Sequence, residues 1–177
     1  FEFLLTTWMM EKYIRPGDYV IIELGHNDNG PFDSGRARAT LRGISATDSL
    51  VVIIKETGVQ DTVYSYGEYM RKFIRECRVL GAQPILMSLT PRNARTKENP
   101  LRIARVNETF GLWCRQIAEE MNVPFVDLND ITAKKLETFS PWKVDYHFYK
   151  DRIHTSSFGA ELNARSAIVG LSECTHP

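Results

Sequence analysis

Three short apolar runs constrain the fold of this chain more than any other feature of its sequence. The runs are "YVIIEL" at 19–24, "QPILMSLTP" at 83–91 and "VPFVDL" at 123–128. Each is bounded by turn-forming residues, which predicts strands, and the continuous apolarity of the first predicts burial on both faces. Helical patterns alternate with the runs, so we predict an α/β fold in which helices cover both faces of a parallel sheet. At 177 residues the chain is expected to form a single domain.

The segments between the runs predict helices and one hairpin. At 67–82, apolar residues recur at helical spacing, and Gly81 is a natural C-cap. At 50–66, two β-rich runs flank a turn glycine, which predicts a β-hairpin that is inserted outside the main sheet. A long loop is predicted at 29–49. Helices are predicted at 2–14, 67–82, 101–121, 130–139 and 157–171, of which 101–121 is the longest.

Composition restricts the classes of partner. The chain has 22 Lys and Arg against 22 Asp and Glu, so no net charge favours nucleic acid or an anionic membrane. No apolar run approaches the roughly 20 residues that span a bilayer. Cys77 and Cys114 lie in helical patterns and are expected to be buried thiols, whereas Cys174 could pair with a cysteine outside the chain. The cysteines show no zinc-binding spacing.

Polar residues follow all three predicted strands, at 25–28, 88–93 and 127–130. Because the strands are predicted to be parallel, their carboxyl ends should lie at the same edge of the sheet. Open α/β sheets hold their ligands at that edge. The sequence therefore predicts a binding site built from these three groups.

The first group is "GHND", and its polar residues each have two interpretations. Asn27 could adopt the left-handed backbone of a turn, or its amide could donate a hydrogen bond to an oxyanion. His26 could act as a ligand or base, or it could hold the loop, and Asp28 could cap the turn. Farther along, Arg92 in "TPRN" could bind the carboxylate of a uronic-acid-containing substrate, or it could pair with an acidic neighbour on the surface.

A second motif, "DRIHTSSFGAELNA" at 151–164, places Asp151 three residues before His154. A carboxylate in that position can accept a hydrogen bond from Nδ1–H, which leaves Nε2 to take a proton from a nucleophile. The same spacing is compatible with loop polarity and helix capping. The expected N-cap of the following helix is Ser156 or Ser157.

Together, "GDYVIIELGHNDNG" and "DRIHTSSFGAELNA" resemble the SGNH, or GDSL, hydrolase superfamily, and more narrowly its rhamnogalacturonan acetylesterase group. The resemblance covers nearly the whole chain and implies a three-layer, flavodoxin-like α/β sandwich. It implies that Asn27 is an oxyanion-hole donor and that Asp151 and His154 belong to a catalytic triad. By the same resemblance, the substrate is expected to contact Gly25, His26, Asp28 and Arg92.

The family's G-D-S block, which holds the nucleophilic serine, and its block with an oxyanion-hole glycine are both absent from the sequence. The resemblance therefore implies that the chain lacks about 50 upstream residues, including the first strand or two, and is nearly inactive by itself. Ser34 lies in a loop and Ser88 near a strand end, and both are interpreted as structural. A strand left without its neighbour would expose an edge, so self-association is also expected.

The function implied by the resemblance is that of a carbohydrate esterase that removes acetyl groups from pectic rhamnogalacturonan. The implied Ser-His-Asp mechanism needs no cofactor or metal ion. Two alternatives stay open: an SGNH esterase or lipase that acts on other acyl substrates, and a non-catalytic glycan-binding remnant. Aromatic residues before the Asp–His loop could stack on sugars or pack the loop. Family members are usually secreted or periplasmic, and the resemblance implies the same localisation here.

Overall fold

The computed structural model describes residues 12–35 and 39–174. The predicted helix at 2–14 lies almost entirely outside this part of the chain. The elements of the described part, in chain order, are β1 (Tyr19–Ile22), β2 (Ser49–Ile53), β3 (Gln60–Tyr64), α1 (Tyr66–Val79), β4 (Gln83–Met87), α2 (Phe110–Met121), β5 (Phe125–Val126), α3 (Leu128–Glu137), α4 (Pro141–Tyr146) and α5 (Ser157–Glu173).

The main sheet has helices on both faces. Its strands are parallel and lie in the order β1-β4-β5. Because side chains alternate along a strand, β4 contributes to a core on each face of the sheet. On one face, Leu86 packs with residues of α1 and α2. Ile85 and Met87 pack on the opposite face with residues of α3 and α5. This arrangement confirms the predicted three-layer α/β fold.

The prediction that 19–24 is buried on both faces is wrong. Among the described strands β1 pairs only with β4, at one edge of the sheet. Ile22 is buried against α1 and α2, whereas Tyr19 is 57% exposed and Ile21 50% exposed. The cause is the position of α5, which packs on β5 at the opposite edge. That face of β1 is therefore left uncovered by the described residues.

The predicted hairpin and the helix that follows it are confirmed. β2 and β3 pair antiparallel as a separate two-stranded sheet. α1 begins after the N-cap Ser65, whose Oγ accepts a hydrogen bond from the N–H of Glu68 (3.0 Å). It ends at the C-cap Leu80, and Gly81 follows with a φ of +74°, the left-handed conformation that turns the chain into β4.

The predicted helix at 101–121 is wrong over its first half, because α2 covers only the second half of that range. The preceding residues are held in an irregular segment by tertiary hydrogen bonds. The N–H of Ile103 donates to Glu137 Oε1 on α3 (2.8 Å). The N–H of Val106 donates to Asn129 Oδ1 on the same helix (3.2 Å). These bonds satisfy backbone donors that have no helical partner, and the longest described helix is instead α5, with 17 residues.

The carboxyl-terminal helices differ in how well the sequence indicates them. α4 is not among the predicted helices, although Ser140 followed by Pro141 is a recognised start signal. α5 begins after Ser156, whose Oγ accepts a hydrogen bond from the N–H of Gly159 (3.4 Å), so a predicted N-cap is confirmed. None of the helices in the described part is both long and apolar enough to span a bilayer.

The three cysteines are unpaired. Cys77 and Cys114 are fully buried, as predicted, and burial raises the pKa of their thiols to about 11 and about 12, respectively. Both thiols therefore remain protonated at neutral pH and act as core residues. Cys174 is partly exposed at the end of α5.

Candidate active site

The polar segments that follow β1, β4 and β5 meet at one edge of the sheet. His26 Nε2 lies 3.1 Å from Thr90 Oγ1, which joins the segment after β1 to the segment after β4. Ser88 Oγ donates to Asp127 Oδ1 (2.9 Å), which joins the segment after β4 to the N-cap of α3. The edge is therefore lined by connected polar groups.

The turn after β1 presents Asn27 to solvent. The N–H of Asp28 donates to Gly25 O (3.1 Å) and closes the turn, while Asp28 Oδ2 accepts a hydrogen bond from Thr40 (3.3 Å). Gly25 has a φ of +132°, and a Cβ at this position would meet the ring of Phe110 at 3.0 Å, so the turn requires glycine. The Asn27 side chain is exposed and makes no hydrogen bond with a described residue. Its amide is therefore accessible to a ligand.

His26 is held by a residue of the segment after β4 and by one at the end of β1. Besides Thr90, its Nε2 lies 3.9 Å from Glu23 Oε1. Burial lowers the pKa of His26 below its ordinary value of 6.5, and the charge of Glu23 opposes this shift. Arg92 and His154 add to the lowering. His154, remote in sequence, therefore lies within electrostatic reach of this turn.

The structure brings Asp151 and His154 together. His154 Nδ1 lies 2.7 Å from Asp151 Oδ2. Asp151 Oδ1 accepts the N–H groups of Ile153 and His154, each at 2.9 Å. These hydrogen bonds, above all the one from the imidazole, lower the pKa of the Asp151 carboxyl to about 2. The carboxylate is ionised at neutral pH and selects the tautomer with the proton on Nδ1.

The backbone of the Asp–His loop is fixed while the imidazole is accessible. The N–H of Tyr149 donates to His154 O (2.8 Å), and a β-bridge joins Phe148 to Thr155. Arg152 adopts a φ of +62°, the left-handed conformation that closes the loop. The side chain of His154 is 78% exposed, and its Nε2 makes no hydrogen bond with a described residue. Nε2 can therefore be reached from solvent.

One short segment after β4 connects this loop to the turn after β1. The N–H of Asn93 donates to Arg152 O (2.9 Å), and the Asn93 side chain donates to Asp145 Oδ1 (2.7 Å). The guanidinium of the preceding residue, Arg92, donates to His26 O (3.0 Å). Neighbouring residues thus contact both parts of the site that the sequence indicates.

The two serines considered from the sequence have structural partners. Ser88 is 1% exposed, and its Oγ donates to Asp127 and accepts the N–H of Asn129 (2.9 Å). Ser34 Oγ lies 3.5 Å from Glu56 Oε1, near the hairpin. Neither hydroxyl is bonded to the imidazole of His154. Within residues 12–35 and 39–174, no group of three or more His, Cys, Asp or Glu side chains is placed to hold a metal ion.

A cavity of about 180 Å³ opens beside the turn after β1. Gly25, His26 and Arg92 line it, as do Arg42 and Phe110. Arg42 is not among the residues predicted from the sequence. It lies in the long loop before the hairpin, where no local pattern indicates a binding residue, and only the folded chain brings it to this wall.

Most of the chain matches a known protein family. Residues 5–162 match the model of the GDSL-like lipase/acylhydrolase family. Among curated proteins, a rhamnogalacturonan acetylesterase from Emericella nidulans is 27% identical over 154 residues, which are 85% of this chain and 59% of that protein. An uncharacterised esterase, YxiM of Bacillus subtilis, is 27% identical over 162 residues, which are 90% of this chain and 35% of that protein. The chain thus spans little more than half of one relative and about a third of the other.

Solved structures show the same fold. The structure of YxiM from Bacillus subtilis has a TM-score of 0.71 at 24% identity, and the match covers 95% of this chain and 40% of that one. An acetylxylan esterase from Geobacillus stearothermophilus has a TM-score of 0.56 at 23% identity, and the match covers 96% of this chain and 66% of that one. At these identities the likeness concerns the fold, and it agrees with the predicted flavodoxin-like architecture.

Proposed function

This chain belongs to the GDSL-like lipase/acylhydrolase family, and from that premise we propose that it is a carbohydrate esterase which removes acetyl groups from pectic rhamnogalacturonan. The identity of 27% to a rhamnogalacturonan acetylesterase supports this substrate class. The structural observation that carries the proposal is the 2.7 Å contact between His154 Nδ1 and Asp151 Oδ2. It leaves Nε2 as the atom that accepts a proton from the nucleophile.

In the proposed reaction, a serine hydroxyl attacks the carbonyl carbon of the acetyl ester while His154 Nε2 takes its proton. Asp151 orients the ring and stabilises the imidazolium. The Asn27 amide donates a hydrogen bond to the oxyanion of the tetrahedral intermediate. His154 then gives the proton to the departing sugar oxygen, and water releases acetate from the serine by the same steps.

We further propose that the nucleophilic serine lies outside residues 1–177. Ser88 is buried and committed to Asp127 and Asn129, which does not suit a hydroxyl that must reach a substrate. The G-D-S block of the SGNH hydrolase superfamily has no counterpart in the sequence. On this proposal, residues 1–177 alone release almost no acetate, and the same residues extended by the upstream sequence encoded by the gene are active.

The experiment compares these two forms on acetylated rhamnogalacturonan, with acetate release as the readout. The extended form is expected to release acetate, and its Asn27→Ala variant is expected to be slower by about 10²- to 10³-fold in kcat. Gln83→Ala, which removes an exposed amide at the start of β4, at the edge of the sheet opposite the site, serves as the matched control and should keep wild-type activity. Robust turnover by residues 1–177 alone that disappears in Ser88→Ala would contradict the proposal and relocate the nucleophile.

A second candidate is an esterase for larger acyl groups, because exposed apolar side chains surround the Asp–His loop. Tyr149 is 61% exposed, Ile153 42% and Phe158 51%. Such side chains could contact an acyl chain as well as a sugar. The two candidates are separated by comparing the hydrolysis rates of acetyl esters and of long-chain acyl esters of the same alcohol. A carbohydrate esterase is expected to hydrolyse the acetyl esters faster. Faster hydrolysis of the long-chain esters would favour the second candidate.

A further inference from the structure

The cavity beside the turn after β1 is lined by cationic groups without acidic ones. Among its described lining residues are Arg42, Arg92 and Arg105, and none of them is Asp or Glu. Arg105 is neutralised, because it pairs with Glu137 and Asp130 behind the cavity wall. The net positive charge of the wall therefore comes from Arg42 and Arg92.

Arg42 and Arg92 have no carboxylate partner among the residues that the structure describes. The guanidinium of Arg92 donates to the carbonyl oxygen of His26. That of Arg42 stacks over the ring of Trp113, 5.7 Å from its centroid. A carbonyl dipole and an aromatic face orient a guanidinium without cancelling its charge. Both arginines are thus positioned and still able to bind an anion.

The backbone next to each arginine is also fixed. The N–H of Leu41 donates to Tyr64 O (2.9 Å), and Leu41 O accepts the N–H of Tyr66 (2.8 Å), which ties Arg42 to the end of the hairpin. Arg92 stands between buried neighbours, Pro91 and Asn93. Because the backbone beside both positions is already fixed, the loss of conformational entropy when a ligand binds is confined to the arginine side chains.

The rest of the cavity suits a sugar ring. Leu89, Val106 and Phe110 form an apolar surface, and Thr90 and Asn29 add polar groups. At about 180 Å³, the cavity is smaller than the roughly 300–1,000 Å³ of pockets that enclose drug-sized ligands. It is therefore sized for one small unit with an apolar face and a charged group, as in a pyranose that carries a carboxylate. The carboxylate of Glu23, which lies nearby, is occupied by the N–H of Thr90 (2.8 Å).

We propose that this cavity is a binding subsite for a uronate residue of the glycan, whose carboxylate is held by Arg42 and Arg92. The inference rests on the proposed carbohydrate esterase function and adds to it a reason for specificity. Arg42 and Arg92 are exposed in the free protein, and a neutral glycan that covers them would give neither guanidinium an anionic partner, which disfavours it relative to an acidic one.

The test measures binding, so that it does not depend on ester cleavage. The full protein is titrated calorimetrically with an unacetylated rhamnogalacturonan oligosaccharide and with the same oligosaccharide after methyl esterification of its carboxylates. The free acid is expected to bind about ten-fold more tightly than the methyl ester, because esterification removes the charge from one or two hydrogen bonds to the guanidinium groups. Sodium acetate, the other carboxylate present in the proposed reaction, is titrated as a separate arm and is expected to bind far more weakly.

The Arg42→Gln and Arg92→Gln variants are each expected to lose most of this preference while they keep the thermal unfolding midpoint of the wild type. Arg165→Gln removes the same charge from an exposed helical position that pairs with Glu161, and it should keep the preference. Equal binding of acid and ester, an unchanged preference in both cavity variants, or binding of acetate as tight as that of the oligosaccharide would each overturn the subsite. If the protein binds the free acid more tightly than the methyl ester but releases no acetate, the subsite is supported and the proposed esterase function is contradicted.

Discussion

At the scale of single residues, the chemistry depends on which groups are fixed and which are accessible. Asp151 accepts three hydrogen bonds, while Nε2 of His154 and the amide of Asn27 have no partner among the described residues. A fixed carboxylate next to an accessible imidazole is suited to moving a proton, because the ring does not need to reorient during the reaction. His26 and Asp28, by contrast, are engaged in holding the turn.

The role of Asp151 predicts the effect of removing its charge. In the extended, active form, Asp151→Asn is expected to lower kcat by about 10⁴-fold, since the amide favours the wrong imidazole tautomer. Asp48→Asn changes an exposed carboxylate in a loop far along the chain and is the matched control. Steady-state hydrolysis of an acetyl ester measures both. A loss of less than about ten-fold in Asp151→Asn would show that this carboxylate does not orient the base.

The same carboxylate predicts a pH dependence. Because the pKa of Asp151 is lowered from 3.8 to about 2, its hydrogen bonds stabilise the folded loop above about pH 4, and this contribution disappears as the pH falls towards 2. The Asp151 carboxyl carbon, followed by NMR, should titrate near pH 2. A midpoint at or above 3.8 would mean that the loop does not hold the carboxylate as described.

The site could be predicted from the sequence only where its parts are local. Asp151 and His154 are three residues apart, so a hydrogen bond between their side chains could be expected from local sequence alone. Arg42 and Arg92 reach one cavity only through the packing of the hairpin, α2 and the sheet. No spacing in the sequence encodes that packing. The sequence therefore does not indicate Arg42 at all, and it indicates Arg92 as a binding residue but not the cavity that this residue lines.

At the scale of elements, α4 and the start of α5 carry the Asp–His loop. Ser156 Oγ donates to Tyr146 O (2.8 Å) at the end of α4 and accepts the N–H of Gly159 in the first turn of α5. A Cβ on Gly159 would clash with His147 O, so the two helices approach each other closely at this glycine. One serine therefore both begins a helix and joins it to its neighbour.

This double role predicts a stability effect. Ser156→Ala is expected to lower the free energy of unfolding by about 1 kcal/mol, as for the loss of an N-cap. Ser157→Ala, at the adjacent exposed position, is the matched control and should stay within about 0.5 kcal/mol of the wild type. Urea unfolding followed by circular dichroism measures both. Equal effects of the two substitutions would contradict the assignment of Ser156 as the cap.

The helix boundaries show which elements the sequence determines. α1 was predicted well because its apolar spacing, its N-cap and Gly81 agree with each other and with the core that it packs against. The range 101–121 has helical spacing throughout, but Glu137 and Asn129 take backbone N–H groups from its first half. These contacts come from a helix far along the chain, and local spacing carries no information about them.

At the scale of the whole molecule, Arg105 joins the irregular segment before α2 to the far side of the sheet. Its guanidinium donates to both oxygens of Glu137 and, through Nε, to Asp130 (3.2 Å). Its side chain is only 12% exposed. This ion pair and the Ile103–Glu137 hydrogen bond attach the cavity wall to α3, so the geometry of the cavity depends on a contact outside it.

We expect Arg105→Gln to lower the free energy of unfolding by about 1.5–3 kcal/mol, since it leaves a partly buried carboxylate without its charged partner. Lys134→Gln, which removes an exposed partner of the same Asp130, should have a much smaller effect, because solvent screens an exposed ion pair. The hydrogen bond from Arg105 lowers the pKa of Glu137 below its usual 4.5. The stability that it provides is therefore present above about pH 4.5 and is lost as the pH falls further, so wild type and Arg105→Gln should converge in acid. A difference that is constant with pH would contradict this role.

The expectation of self-association also belongs to this scale. β1 lies at the edge of the described sheet with Ile21 half exposed, and an open strand edge favours pairing with another chain. It stays a prediction, to be checked by the sedimentation behaviour of residues 1–177 compared with that of the extended form.

The catalytic assignment is tested most sharply by kcat for acetyl ester hydrolysis in the extended form before and after His154→Ala. If His154 is the general base, the substitution should lower kcat by about 10⁴- to 10⁶-fold while the protein stays folded. Activity within about ten-fold of the wild type would show that the imidazole beside Asp151 does not move the proton.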